Sequence, residues 1–163
     1  KNISKNSLEF WDSVIKLNLQ TCIHFINLCL PHMIKKKWGR IICISSVSAK
    51  KAKGKPWYII AKKSVSTLIK SLSVDRKLIR SGITFNSISP GALMIPGTGW
   101  DDFKKEDKNK FSKYIEKKFP LGRLGKAEEI ASIFPFLCSD KSSFINGADI
   151  IIDGGQSNEE YEN

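Results

Sequence analysis

Apolar residues recur at spacings of three and four from Leu8 to about Lys37, where Trp11, Val14, Ile15, Cys22, Ile26, Cys29 and Leu30 share one face. The pattern predicts a long amphipathic helix with Asn6 or Ser7 as its cap, and Glu9 in the N3 position if Asn6 serves. Pro31 predicts a kink and Gly39 an end. Ile41-Ile42-Cys43-Ile44 runs without a polar break, as expected of a strand covered on both faces. Ser45 to Pro56 is a polar, lysine-rich loop, and Trp57 to Arg80 predicts a second long helix. There Tyr58, Ile59, Ala61, Val65, Leu68, Ile69 and Leu72 supply the apolar face. Ser81-Gly82 breaks it, Ile83 to Ile88 predicts a strand, and Pro90-Gly91 and Pro96-Gly97 punctuate a loop. A charged helical region over Asp101 to Lys118, a helix from about Ala127 to Ser139 and a strand over Ala148 to Asp153 complete the pattern before Gly154-Gly155.

Helix and strand therefore alternate, with crossovers long enough for parallel pairing. The fold class is α/β, half or more of a doubly wound parallel sheet. At 163 residues the chain has room for one domain with a real core, and it carries no internal repeat or low-complexity linker.

Composition removes several classes. Hydrophobic residues make up 41% and charged residues 26%, the balance of an ordinary globular chain. The unbroken apolar runs are far shorter than the ~20 residues of a membrane span, and no apolar segment follows the polar start as a secretory signal would. A cytoplasmic protein with no membrane partner is the expectation. Cys22, Cys29, Cys43 and Cys138 form no C-x-x-C pair, and only His24 and His32 could join them. Buried thiols are expected, without metal site or disulfide scaffold. The net charge of +11 is spread along the whole chain in lysines, beside abundant isoleucine and asparagine. That scatter fits AT-rich coding better than a nucleic-acid surface, so no nucleic-acid partner is expected. Lys1 is an improbable natural start, because initiator methionine is normally trimmed only before small residues; a piece of a longer protein is expected.

The chemistry centres on Tyr58-Ile59-Ile60-Ala61-Lys62. Residues i and i+4 share a helix face, so the phenol and the ammonium are neighbours, and a nearby cation favours the phenolate a general acid/base needs. Tyr114 and Lys118 repeat the spacing, but only Tyr58 follows an apolar strand that ends in hydroxyls, Ser45-Ser46. His24 and His32 read as surface or half-buried residues of the first helix.

These residues resemble the short-chain dehydrogenase/reductase family. The matching elements are Ile44-Ser45-Ser46, Tyr58-x-x-x-Lys62, Asn18 in the first helix, and Asn86-Ser87-Ile88-Ser89-Pro90-Gly91. Leu121-Gly122-Arg123-Leu124-Gly125 and Asn146-Gly147 leading to Asp153-Gly154-Gly155 follow in family order. The resemblance implies a Rossmann-like fold of which 1–163 is the C-terminal catalytic part, without the N-terminal nucleotide-binding half. It also implies hydride transfer between NAD or NADP and a carbonyl or secondary alcohol, in a 3-oxoacyl-reductase-like branch. Tyr58 would be the acid/base and Lys62 would hold the nicotinamide ribose. Ser46 would polarise the carbonyl, with Ser45 as the alternative hydroxyl. Asn18 would kink its helix and hold a water that relays protons. Pro90, Gly91 and Leu93 would border the nicotinamide. Met94 and Trp100 would touch substrate, with 101–118 as a lid. Lys50, Lys51, Lys53 and Lys55 would either steer an anionic substrate or form a solvated loop.

Two departures stand beside this reading. No glycine-rich turn joins a strand to a helix, since Gly97-Thr98-Gly99 lacks a third glycine, and no residue selects between the two dinucleotides. The alternative reading is therefore a non-catalytic association subunit of the same fold. Helices 8–37 and 57–80 resemble the family's subunit contacts, so a homodimer or homotetramer is expected.

Overall fold

The computed structural model describes residues 6–51 and 54–157. Three parallel strands, β1 (Gly39–Ile44), β2 (Ile83–Pro90) and β3 (Asp149–Ile152), form a sheet in the order β1-β2-β3. Gly39 pairs with Ile83 and Ile44 with Ile88, while Ser87 pairs with Asp149 and Pro90 with Ile152. All eight residues of β2 are buried. β1 and β3 are the two edges among the described strands, and on β1 Ile42 is half-buried and Ile44 is 38% exposed. The covering of both faces expected of Ile41–Ile44 thus does not hold for β1, whereas β2 is buried throughout.

Helices pack on both faces, as a doubly wound sheet requires. On one side Ile41, Cys43, Ile83 and Phe85 meet Ile26 of α2 (Thr21–Lys36) and Val65 and Ile69 of α4 (Pro56–Leu72). On the other, Ile88 meets Ile130 of α8 (Ala127–Ala131) and Leu137 of α9 (Phe134–Leu137), with Ile42, Ile150 and Ile152 at the margin. A third cluster, Phe111, Ile115, Phe119 and Leu124, lies under α6 (Gly99–Glu106) and α7 (Lys108–Lys118).

Several boundaries differ from expectation for local reasons. Ser7, not Asn6, caps α1 (Leu8–Ile15), accepting from Phe10 N at 3.3 Å, so Glu9 is not in a capping box. The irregularity of the first helix is a π turn at Lys16–Gln20 between α1 and α2, whereas α2 continues through Pro31. Lys37, in the left-handed conformation at φ 53°, ends α2, and Gly39 opens β1. The second long helix stops at Leu72. Asp75 then caps a separate α5 (Arg76–Arg80), accepting from Lys77 N and Leu78 N. Asp107, extended and accepting from Lys110 N, divides α6 from α7. Pro135, which lacks an N–H, sits at the start of α9 and divides it from α8.

The helical run Leu8–Lys36 covers 29 residues, and its most apolar 18-residue window has mean hydropathy 1.2, enough by length and composition alone to cross a bilayer. It is nevertheless an integral layer of the fold: Leu19, Cys22, Leu30 and Met33 pack against the core around Ile26.

Candidate active site

Pro56 occupies the first turn of α4, where a missing N–H costs nothing, and the turn sets Tyr58 and Lys62 one above the other. Lys62 Nζ lies 5.8 Å from the centre of the Tyr58 ring. Hydrogen bonding of β1 to β2 continues past Ile44, with Ser45 N donating to Ile88 O at 2.7 Å and Val47 N to Pro90 O at 3.1 Å. This extension brings Ser45 and Ser46 alongside Ser89-Pro90 and beneath α4. The loop between serine and tyrosine contains a further short helix, α3 (Ser48–Lys51).

The result is a cavity of about 400 Å³ whose lining includes Ser45, Ser46, Tyr58, Lys62, Pro90, Gly91 and Leu93, together with Trp100 and Gln156. Met94 does not line it and packs instead against the cluster under α6 and α7. Trp100 serves both, stacking edge-on against Phe119 at 5.7 Å. Asn18 faces a neighbouring groove of about 420 Å³ that Lys62 shares with Cys22 and Cys43. Asn18 sits at the centre of the π turn; its Nδ2 donates to Val14 O at 3.0 Å, and its carbonyl accepts from the Cys22 thiol.

The two serines differ in what their hydroxyls are doing. Ser45 is 2% exposed, and its Oγ donates to Lys62 O at 3.0 Å and accepts from Ser66 Oγ at 2.7 Å. Ser46 Oγ accepts from Ser48 N at 3.2 Å, which leaves its proton free to point at a guest. Lys62 Nζ donates to Ile44 O at 3.0 Å. Burial pushes the Lys62 ammonium below its ordinary pKa, and the thiols of Cys22 and Cys43 pull the other way. Burial also raises the Cys43 thiol, with Cys22 beside it, to about 12.

Backbone geometry at Pro90–Leu93 depends on close approach. A Cβ at Gly91 would lie 2.7 Å from Asp153 Cβ and 2.8 Å from Asp153 Cα. Gly91 N donates to Ile152 O, and Gln156 Oε1 accepts from Ala92 N at 2.8 Å. Leu93 bridges to Gly125 through Ala92 O and Met94 N, so the bridge itself uses neither the amide nor the carbonyl of Leu93. Behind it, Arg123 grips Glu129 with two bonds of 2.8 and 2.7 Å. That fork, with Lys126 N as a second donor, holds the Glu129 carboxyl down at about 2. Gln156 escaped the sequence reading, although it directly follows Asp153-Gly154-Gly155. Of the loop lysines, Lys50 pairs with Asp149 at 3.2 Å and Lys51 donates to Gln156 O, while Lys53 lies outside the described residues.

Half of a dinucleotide site fits these residues. Lys62 and the Pro90–Leu93 backbone suit a ribose hydroxyl and a carboxamide. Gly97-Thr98-Gly99 does not suit a pyrophosphate: it follows no strand, and Asp101 already takes the Gly97 amide at 2.9 Å.

Residues 1–157 match the family model described as enoyl-(acyl carrier protein) reductase. The chain is 36% identical over 146 residues to a 3-oxoacyl-(acyl carrier protein) reductase of Buchnera aphidicola, covering 89% of this chain and 57% of that protein. It is 34% identical over 146 residues to an acetoacetyl-CoA reductase of Cupriavidus necator, covering 89% and 56%. Among solved structures, a gluconate 5-dehydrogenase of Burkholderia cenocepacia in complex with NADP and tartrate superposes with a TM-score of 0.83 at 27% identity, over 97% of this chain and 60% of that one. The chain thus spans a little over half the length of these relatives. Matched over nearly all of its residues, and with a parallel sheet that superposes on theirs, it belongs to the short-chain dehydrogenase/reductase family of oxidoreductases.

Proposed function

We propose that the chain carries the catalytic part of an enzyme that moves hydride between NAD or NADP and a carbonyl/secondary alcohol pair, with Tyr58 as the general acid/base. The observation that carries this reading is the convergence of Tyr58, Lys62 and Ser46 on one cavity bordered by Pro90-Gly91. The bound nicotinamide supplies or accepts the hydride. In the direction of reduction, Ser46 Oγ donates a hydrogen bond to the substrate oxygen and polarises its carbonyl. Tyr58 Oη gives that oxygen a proton as the alcohol forms. The Lys62 ammonium offsets the phenolate left behind and holds the cofactor ribose. Asn18, across Lys62 in the adjoining groove, holds the water that returns a proton. Pro90, Gly91 and Leu93 seat the nicotinamide, Leu93 through its backbone.

The substrate end is a lid of α6 and α7, with Trp100 facing the guest and Met94 anchoring the lid from behind. The names of the relatives point to 3-oxoacyl thioesters as the first substrates to try. The exposed residues Leu17, Phe25 and Leu28, with Ile60 of α4, suit assembly into a homodimer or homotetramer through the helices at 8–37 and 57–80.

The test is Tyr58→Phe in the native gene product, assayed on acetoacetyl-CoA and small ketones with NADPH and with NADH. General acid/base catalysis contributes roughly 10²–10⁴-fold. Turnover is expected to fall at least a hundredfold, with cofactor affinity, read by fluorescence of the reduced nicotinamide, within about twofold. Retained turnover overturns the assignment; cofactor binding without turnover in the unmodified protein favours the association subunit.

A further inference from the structure

Behind the cavity lies a polar cluster that the chemistry above does not use. Two successive residues at the end of β1 grip Lys62 at both ends, Ser45 Oγ on its carbonyl and Ile44 O on its ammonium, each at 3.0 Å. Ser45 Oγ accepts from Ser66 Oγ at 2.7 Å, so its single proton is directed at Lys62 O. Ser66, one turn beyond Lys62 on α4, lies 3.4 Å from Asp149 Oδ2. The other oxygen of Asp149 accepts from Ser89 Oγ at 2.6 Å, and Lys50 Nζ stands 3.2 Å from Oδ2. A single carboxylate at the start of β3 is therefore tied to β2, to α4 and to the loop that carries Ser46.

Even partial burial of a carboxylate is costly unless it is hydrogen-bonded, and an apolar residue of similar size at the head of a strand would cost less. The position nonetheless carries an acid with hydroxyls gathered around it. Ser45 and Ser89 are 2% and 0% exposed, and the Asp149 side chain is 23% exposed. The Ser66 hydroxyl donates to both neighbours, closely to Ser45 Oγ at 2.7 Å and at 3.4 Å to Asp149 Oδ2, the oxygen that Lys50 also pairs with, so the carboxylate and Ser45 hold Ser66 between them. Resting on the catalytic reading above, we propose that Asp149 is a positioning residue. Through Ser66 and Ser45 it fixes the turn of α4 that bears Lys62, and through Lys50 it fixes the loop between Ser46 and Tyr58.

The experiment compares Asp149→Ala, Ser66→Ala and Lys50→Met in the native gene product, with acetoacetyl-CoA and NADPH or NADH and with Tyr58→Phe as control. Asp149→Ala and Ser66→Ala are each expected to lower kcat about tenfold with KM within twofold. The double variant should be no worse than Asp149→Ala alone, because the two residues form one chain. Lys50→Met should lower kcat about threefold. Its side chain is 36% exposed, which makes it the arm that decides if the other two variants do not fold. Unchanged kcat in the folded variants, or a loss that follows the folded fraction, overturns the proposal. If Tyr58→Phe keeps its turnover, the catalytic reading itself fails; if that variant is inactive and Asp149→Ala is normal, only the positioning role fails.

Discussion

Asn86 is the buried residue whose replacement tests the architecture most directly. It is 2% exposed on β2, on the face that carries Ile88, and it bonds to both ends of the segment leading into β3. Nδ2 donates to Ile145 O at 2.8 Å, and Oδ1 accepts from Ala148 N at 3.0 Å. Asn146, between those two contacts, accepts from Phe85 N at 2.9 Å and donates to Ser73 O at 2.8 Å. Asn86→Leu keeps the branched shape and removes both bonds. Each of the two backbone partners left unsatisfied costs about 1–2 kcal/mol once water restores part of the bond. The loss comes to about 2–4 kcal/mol, a large part of the ~5–15 kcal/mol of a typical domain. Urea unfolding followed by circular dichroism should show the midpoint falling by about 1–2 M at a slope of ~2 kcal/mol/M. Hydrogen exchange at Ala148 should accelerate by a similar free energy. Asn146→Leu should cost as much alone and less when added to Asn86→Leu, since both hold one segment. A stability change under about 0.5 kcal/mol in Asn86→Leu would refute the claim that these bonds hold β3 in register.

Other consequences are smaller but separate. Thr84 Oγ1 is buried in β2 without a partner among the described residues, so Thr84→Val should raise stability by about 1 kcal/mol in the same urea assay; a loss of that size would count against it. The Cys43 thiol, raised to about 12 and buried, should react with a disulfide reagent at pH 8 orders of magnitude more slowly than exposed Cys29 and Cys138, and equal rates would contradict the burial argument. The Glu129 carboxyl is depressed to about 2 by Arg123, so the stabilisation from that pair is present above the ordinary value of 4.5 and fades as pH falls toward 2. Carbon NMR should place its midpoint near 2, and Arg123→Ala should move it back toward 4.5.

What was legible in the residues was what depends on short range. Tyr58 and Lys62 share a helix face wherever that helix sits, and the alternation of helix with apolar strand dictated the parallel sheet. The choice between Ser45 and Ser46 was not legible. It depends on which hydroxyl finds Ser66 and the Lys62 carbonyl, and those are 21 and 17 residues away. Gln156 reaches Ala92 across 64 residues, a pairing no local pattern announces. Pro31 drew attention as the helix kink because proline is visible in any sequence. The actual irregularity is a change of hydrogen-bond spacing around Asn18, where the family resemblance and no local pattern had put a kink. Asp107 and Asp75 divided predicted helices because a carboxylate that caps one helix does so by leaving the one before.

The π turn at Lys16–Gln20 also bears on which changes in length this chain can absorb. Such a turn is an extra residue accommodated within a helix. Each residue of a regular helix advances the side chains by about 100°, and the wider winding of this turn absorbs the extra one, so removing a residue here would restore regular winding with the two halves of the helix still facing as they do. Trp11, which meets Trp57 edge-on at 6.0 Å, and Ile26, which faces the core, lie on opposite sides of the turn. Both could keep their places. A single codon lost there would disturb the packing less than one lost from the regular part of the helix between Thr21 and Ile26, where the same 100° would turn one of the two away from its partners.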